Sequence, residues 1–146
     1  VVYHTRQLAN EIRIFLKDGK GFADKMDMLL QAIEREGNGA VCKMVRYVHV
    51  LTDHSEFSRL TKEKMATKEM RKNLIIGIFE EIVDEALLEG ELRTDLPKSY
   101  IVETIFARLL THMIFVSARD SVKEEAQENR GRLYRSMLDE LCEKNR

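Results

Sequence analysis

Residues 74–87 carry the pattern that most limits the fold. Leu74, Ile75, Ile78, Phe79, Ile82, Val83, Ala86 and Leu87 follow one another in steps of 1, 3, 1, 3, 1, 3 and 1. At 3.6 residues per turn these positions form one broad stripe down a helix face. A strand would scatter them over both faces, because its side chains alternate with a period of two. The spacing predicts a helix over about 68–89. So wide an apolar face needs other elements to cover it, and only helices are on offer. Gly 7 and Pro 1 in 146 residues are too few for the many tight turns of a sandwich or barrel. With 44% hydrophobic residues the chain can bury a core. The expectation is an all-α chain, an orthogonal helical bundle of about six helices forming a single domain over residues 1–146, without repeats or linkers.

The other helices follow from the same period. Leu8, Ile12, Phe15 and Leu16 mark a first one over 2–16, with Ile14 off the stripe, and Asp18-Gly19-Lys20-Gly21 ends it. Phe22, Met26, Leu29, Leu30 and Ile33 mark a second to about Glu36, closed by Gly37-Asn38-Gly39. Val41 to Leu51 reads two ways. Val41, Met44, Val45, Val48 and Leu51 make a helical stripe, yet Val45, Tyr47, His49 and Leu51 alternate as in a strand. No partner strand exists elsewhere, which decides for helix. Asp53 or Ser55 caps a short helix through Phe57 and Leu60. Gly90 ends the helix of residues 68–89 and Pro97 opens the next, over 98–117. Ser121-Val122-Lys123-Glu124 is a capping-box pattern that opens the last, over 121–144.

Helix 98–117 differs in kind. Val102, Phe106, Leu109, Met113 and Val116 step by 4, 3, 4 and 3, and Ile101, Ile105 and Phe115 add a second stripe, with Leu110 and Ile114 between. A helix apolar nearly all round is buried on more than one side. One side is expected to face the subunit's own core and the other a second copy of the chain. The expected dimer interface is Ile105, Arg108, Leu109, His112, Phe115 and Val116, with Leu133, Tyr134, Met137, Leu138 and Leu141 from the last helix. Leu109→Asp is expected to break it.

Catalytic chemistry finds no foothold. Lys+Arg 24 against Asp+Glu 25 leaves a net charge of -1, without the basic excess that gathers nucleic acid. Phosphate-loop, dinucleotide-loop and His-Glu-x-x-His motifs are missing, as is a Glu followed three residues later by His. The histidines, His4, His49, His54 and His112, show no metal-ligand spacing. Glu80-Glu81 and Glu124-Glu125 read as solvated helix surface. The expectation is no enzyme, no cofactor and no metal. Cys42 and Cys142 lie a hundred positions apart among apolar neighbours, which reads as two reduced, buried thiols in a cytoplasmic protein. The first residues are no signal peptide, and no run of 18 apolar residues suggests a membrane span. The chain opens on Val1 rather than Met, and the expectation is a fragment with something upstream.

Two residues on helix 98–117 need partners. His112, among Leu109, Leu110, Met113 and Phe115, is either a core or interface histidine hydrogen-bonded across a two-fold axis or a polar anchor in a ligand cavity. Arg108 must reach water, a carboxylate or an anionic ligand, and a salt bridge is the simpler solution. Seven Met and six Phe give a soft interior. Each alone reads as core packing, but together they suit an apolar pocket.

The segment MRKNLIIGIFEEIVDEALLEGELRTDLP, residues 70–97, resembles the TetR family of bacterial transcriptional regulators. In that family a long helix ends in a connector of the type seen here as Gly90, Glu91, Leu92, Arg93, Thr94 and Asp95, followed by a long apolar helix and a final amphipathic one. The likeness extends to helix order over essentially the whole chain. It implies a TetR-like C-terminal regulatory domain, its last two helices pairing with their mates in a homodimer. It also implies an N-terminal helix-turn-helix module that this chain lacks, so DNA is a partner only through that absent module. A small hydrophobic or amphipathic effector (a lipid-like metabolite, an aromatic compound or a drug) would shift the population away from the DNA-competent state of a repressor. Helix 2–16 would carry the motion upstream. The family assigns no pocket residues. Helix face and chemistry nominate Phe15, Met26, Met44, Val48, Ile78, Phe79, Ile82, Phe106 and Met113, with Tyr47 and His112 as polar anchors. No membrane partner is expected. The alternative is a helical dimeric interaction or adaptor module with a filled core and no pocket.

Overall fold

The computed structural model describes residues 2–35, 37, 39–52, 75–118 and 123–144. Among the described residues the chain forms six helices and no strand: α1 (Val2–Leu16), α2 (Phe22–Arg35), α3 (Ala40–Thr52), α4 (Ile75–Leu88), α5 (Lys98–Ala118) and α6 (Lys123–Leu141). This is an all-α bundle. The stretch 41–51 is helical, because packing on α1, α2 and α5 outweighs its β-branched bias. The short helix expected after Asp53, the start of the 68–89 helix and the Ser121 capping box lie outside the described residues.

α2 and α5 form the centre. α5 packs against α2, α3, α4 and α6, while α2 touches α3, α4, α5 and α6, and α1 lies across α3 and α4. One continuous core joins them, with Phe22, Ile12, Met26, Leu30, Met44, Phe79, Ile101 and Ile105 among its buried members. Charges stitch the rims of these contacts. Arg13 on α1 grips Glu81 on α4 with two bonds of 3.1 and 3.0 Å, and Lys98 on α5 lies 2.7 Å from Asp84 on α4.

The connector 90–95 is a three-way joint. Gly90 has φ 71, and Glu91 N–H donates to the Ala86 carbonyl (2.8 Å) and Gly90 N–H to Leu87 (3.1 Å), a Schellman close to α4. The Glu91 carboxylate then accepts the Phe22 N–H at 3.0 Å, capping the start of α2 from far along the chain. Gly21, at φ 126, permits this approach, for a Cβ there would lie 2.9 Å from that carboxylate. Leu92 is buried and bridges Cys142, with Arg93 N–H donating to the Leu141 carbonyl (2.9 Å) and Glu143 N–H to Glu91 (3.0 Å). The Arg93 side chain adds a bond to the Glu140 carbonyl at 3.2 Å and is held by Asp95 at 3.0 and 2.6 Å. The start of α2 and the ends of α4 and α6 therefore meet at one short loop.

Several expectations need correcting. Phe15 is 40% exposed. Leu8, Ala9, Ile12 and Leu16 set the buried direction of α1, and at ~100° per residue Phe15 lies well to one side of it. Of the expected interface, Ile105, Leu109, His112, Leu133, Met137 and Leu141 are buried inside the subunit, and Arg108 turns to Glu140. The deepest apolar stripe of α5 was the easiest to read, and the chain's own core takes it. The outward side carries Tyr100, Glu103, Ala107, Thr111 and Ile114 instead, with Leu110 half-buried beside them and Ile114 55% exposed. Cys142 is half-buried rather than buried, whereas Cys42 is buried, and both are free. α5 is also long and apolar enough to cross a membrane: residues 98–117 reach a mean hydropathy of 1.3, although Glu103, Arg108 and His112 interrupt any continuous apolar run. Only 33% of that window is buried.

Candidate functional site

The residues nominated for a pocket converge on one place. Met26 from α2, Met44 from α3, Ile78, Phe79 and Ile82 from α4, and Phe106 and Met113 from α5 all belong to or pack against the same apolar cluster. The Phe79 and Phe106 rings lie 4.2 Å apart between centroids, tilted by 47°. Phe15 stands outside the cluster, and the side chains of Tyr47 and Val48 lie outside the described residues. The buried members are closely packed. Met26, Met44 and Phe79 have no exposed surface, so an effector would enter only by spreading them apart.

His112 marks the polar edge of this cluster. Nδ1 lies 3.0 Å from the Asn129 amide nitrogen on α6. Nε2 lies 3.3 Å from Glu34 Oε2 on α2, off the line a ring N–H bond needs. The same oxygen accepts Arg130 Nη1 at 2.7 Å, and Arg130 Nε is 3.9 Å from Asp27. Burial lowers the histidine's proton affinity, Glu34 pulls it back up and Arg130 lowers it again, so the ring sits below the ordinary imidazole value. Nδ1 thus finds its partner within the same chain. A second polar group lies along α5. Arg108 Nη2 reaches Glu140 Oε2 at 3.1 Å, and the Tyr100 hydroxyl donates to the other oxygen of that carboxylate. The Tyr100 and Arg108 bonds lower the Glu140 carboxyl below its ordinary range.

A groove of about 460 Å³ lies elsewhere, between the turn after α1 and the end of α4. Its floor is Phe22, Ile82 and Ala86, and Lys20, Lys25, Glu85, Glu89 and Glu91 edge it. Of the nominated pocket residues it shares Ile82 alone.

No protein-family model, curated protein or solved structure matches this chain. Its role is read from its own geometry. Glu34, Asn129 and Arg130 escaped the sequence reading, although a faint signal exists. Glu34 stands four residues after Leu30, and Asn129 and Arg130 three and four after Ala126, all at the margin of buried stripes. Charged or amide residues there must find partners. No group of three or more metal-ligating side chains is gathered among the described residues.

Proposed function

We propose that this chain is the effector-binding and dimerisation domain of a TetR-like transcriptional regulator. The observation that carries the reading is α5. Its 98–117 stretch is only 33% buried by the subunit, which leaves Tyr100, Ala107 and Ile114, with half-buried Leu110, for a second copy to cover. The Met/Phe cluster supports the other half of the reading. Methionines repack at low cost, so the centre of the bundle suits a small apolar or amphipathic effector with His112 at its polar rim. DNA recognition belongs, in this reading, to a separate N-terminal helix-turn-helix module joined through α1. An effector that binds one arrangement of the dimer better than the other shifts the spacing of those modules.

Native mass spectrometry of the purified chain tests both halves. The expected result is a homodimer that gains mass on adding apolar or amphipathic small molecules. A monomer at high concentration overturns the dimer. A dimer that takes up no member of a broad apolar panel favours the second reading, an interaction module with a filled core. The close packing of Met26, Met44 and Phe79 is the observation on that side.

A further inference from the structure

Where α2, α5 and α6 meet, a histidine is sealed in with two charged groups. His112 has 0% exposure, and the Glu34 and Arg130 side chains keep only 10% and 22%. The Asn129 amide nitrogen donates to Nδ1, so the neutral ring carries its hydrogen on Nε2, towards Glu34. Glu34 Oε2 is already held by Arg130 at 2.7 Å. Burial, Arg130 and the Asn129 NH₂ favour a neutral ring, and of the neighbours Glu34 alone favours a protonated one. Both ring nitrogens of an imidazolium donate, so Nδ1–H would face the amide NH₂, and a second cation would arrive at an oxygen Arg130 already occupies.

We propose that His112, Asn129, Glu34 and Arg130 form a proton-operated latch on α6. Uptake of one proton at His112 turns the Asn129 amide end for end and divides Glu34 between two cations. The grip of α2 and α5 on the first half of α6 weakens. The second half is held separately, by the Leu92–Cys142 bridge, by Arg93 on the Glu140 carbonyl and by Arg108 on the Glu140 carboxylate, so it stays docked. This latch does not depend on the regulator reading.

Among the described residues of α3, α4 and α5, the other charges have partners elsewhere or face solvent. On α5, Arg108 points to Glu140. On α3, Arg46 donates to the Gly37 carbonyl and Lys43 is exposed. On α4, Glu80 and Asp84 face Lys98, and Glu85 faces Lys25. The ring is therefore governed by burial, by Glu34 on α2 and by Arg130 on α6, whose Nε lies 3.9 Å from Asp27. Since the docked ring holds its proton less tightly than a free imidazole, protons favour the released form. The latch is closed above about pH 6.5 and opens as the pH falls below it.

Amide exchange of the whole chain, expressed as protection factors to remove the intrinsic pH effect, tests this at about pH 7.5 and about pH 5. Protection over 127–131 is expected to fall at the lower pH, with 133–141 unchanged. In His112→Gln, which has an amide but no titration, that response is expected to vanish. Equal loss in both halves, no loss, or a response that survives in the variant overturns the latch. Ring nitrogen spectra of the unaltered protein decide the matter even where the variant fails to fold. They are expected to show the Nε2–H tautomer at neutral pH and a midpoint below the ordinary value. An Nδ1–H ring, or a midpoint at or above about 6.5, overturns the proposal. Asn129→Asp sets a carboxylate against Nδ1 and is expected to raise the midpoint, and a midpoint left unmoved would also overturn it.

Discussion

The two thiols and the glycines show how local surroundings set chemistry. Cys42 is buried, its sulfur 3.8 Å from the Ile33 carbonyl. Cys142 is half-buried, and burial together with the Glu91 carboxylate raises its thiol above the ordinary value. Thiolate is the reactive form, so Cys142 is expected to alkylate slowly at neutral pH, yet before Cys42. Glu91→Gln keeps an acceptor for the Phe22 N–H but removes the charge, and is expected to speed Cys142 while leaving Cys42 as it was. Time-resolved alkylation read by mass spectrometry checks both, and Cys42 reacting first would contradict the burial. Glycines divide in the same way. Gly21→Ala forces a side chain into φ 126 and against Glu91, and is expected to cost about 1–3 kcal/mol in urea unfolding. Gly37→Ala meets nothing within 4 Å and has no positive φ, so it is expected to be neutral or to stabilise by up to about 1 kcal/mol. Residue by residue, the sequence stated needs better than answers. A mid-helix histidine among leucines and methionines must have a partner, but Glu34 and Arg130 are 96 positions apart, and no local pattern pairs them with each other or with His112.

For elements, the joint at residues 90–95 gives the sharpest contrast. Leu88, on the last turn of α4, is 87% exposed, and Leu92, four residues on, is 1% exposed beneath the bridge to Cys142. Leu92→Ala is expected to destabilise by about 2–4 kcal/mol, from lost burial and the cavity left behind. Leu88→Ala is expected to stay within about 0.5 kcal/mol. Paired urea titrations distinguish them, and similar midpoints for both would show that the connector is not anchored as described. The helices themselves were readable because a period of 3.6 is written locally, as in Ile78, Phe79, Ile82 and Val83. Gly90 was readable because a left-handed close favours glycine. The cap that Glu91 places on α2 was not, for it joins residues 69 positions apart and looks in sequence like one more surface glutamate. α3 was decided by the lack of a partner strand, an argument from the whole chain rather than from the segment.

Across the whole molecule, the outer side of α5 is where a lone subunit and a paired one differ. Val102 and Leu109 of one apolar stripe and Ile101 and Ile105 of the other all turn inward, so the subunit keeps both and leaves another line, around Ile114, outside. That choice separates two substitutions on the same helix. Leu109→Asp buries a carboxylate without a partner in the core and is expected to unfold the chain, whatever its oligomeric state. Ile114→Asp sits where 55% of the residue faces solvent, so a lone subunit should tolerate it within about 0.5 kcal/mol. If two copies meet along Tyr100, Ala107, Leu110 and Ile114, two-fold symmetry brings the new charge in twice, facing apolar surface on both sides. The expected result is a folded monomer with an unchanged helical spectrum, beside an unaltered chain that elutes as a dimer with a light-scattering mass to match. Ile114→Asp that remains dimeric would place the partner on another face. An unaltered chain that runs as a monomer at every concentration would leave the outer side of α5 facing water and remove the ground for a paired regulator.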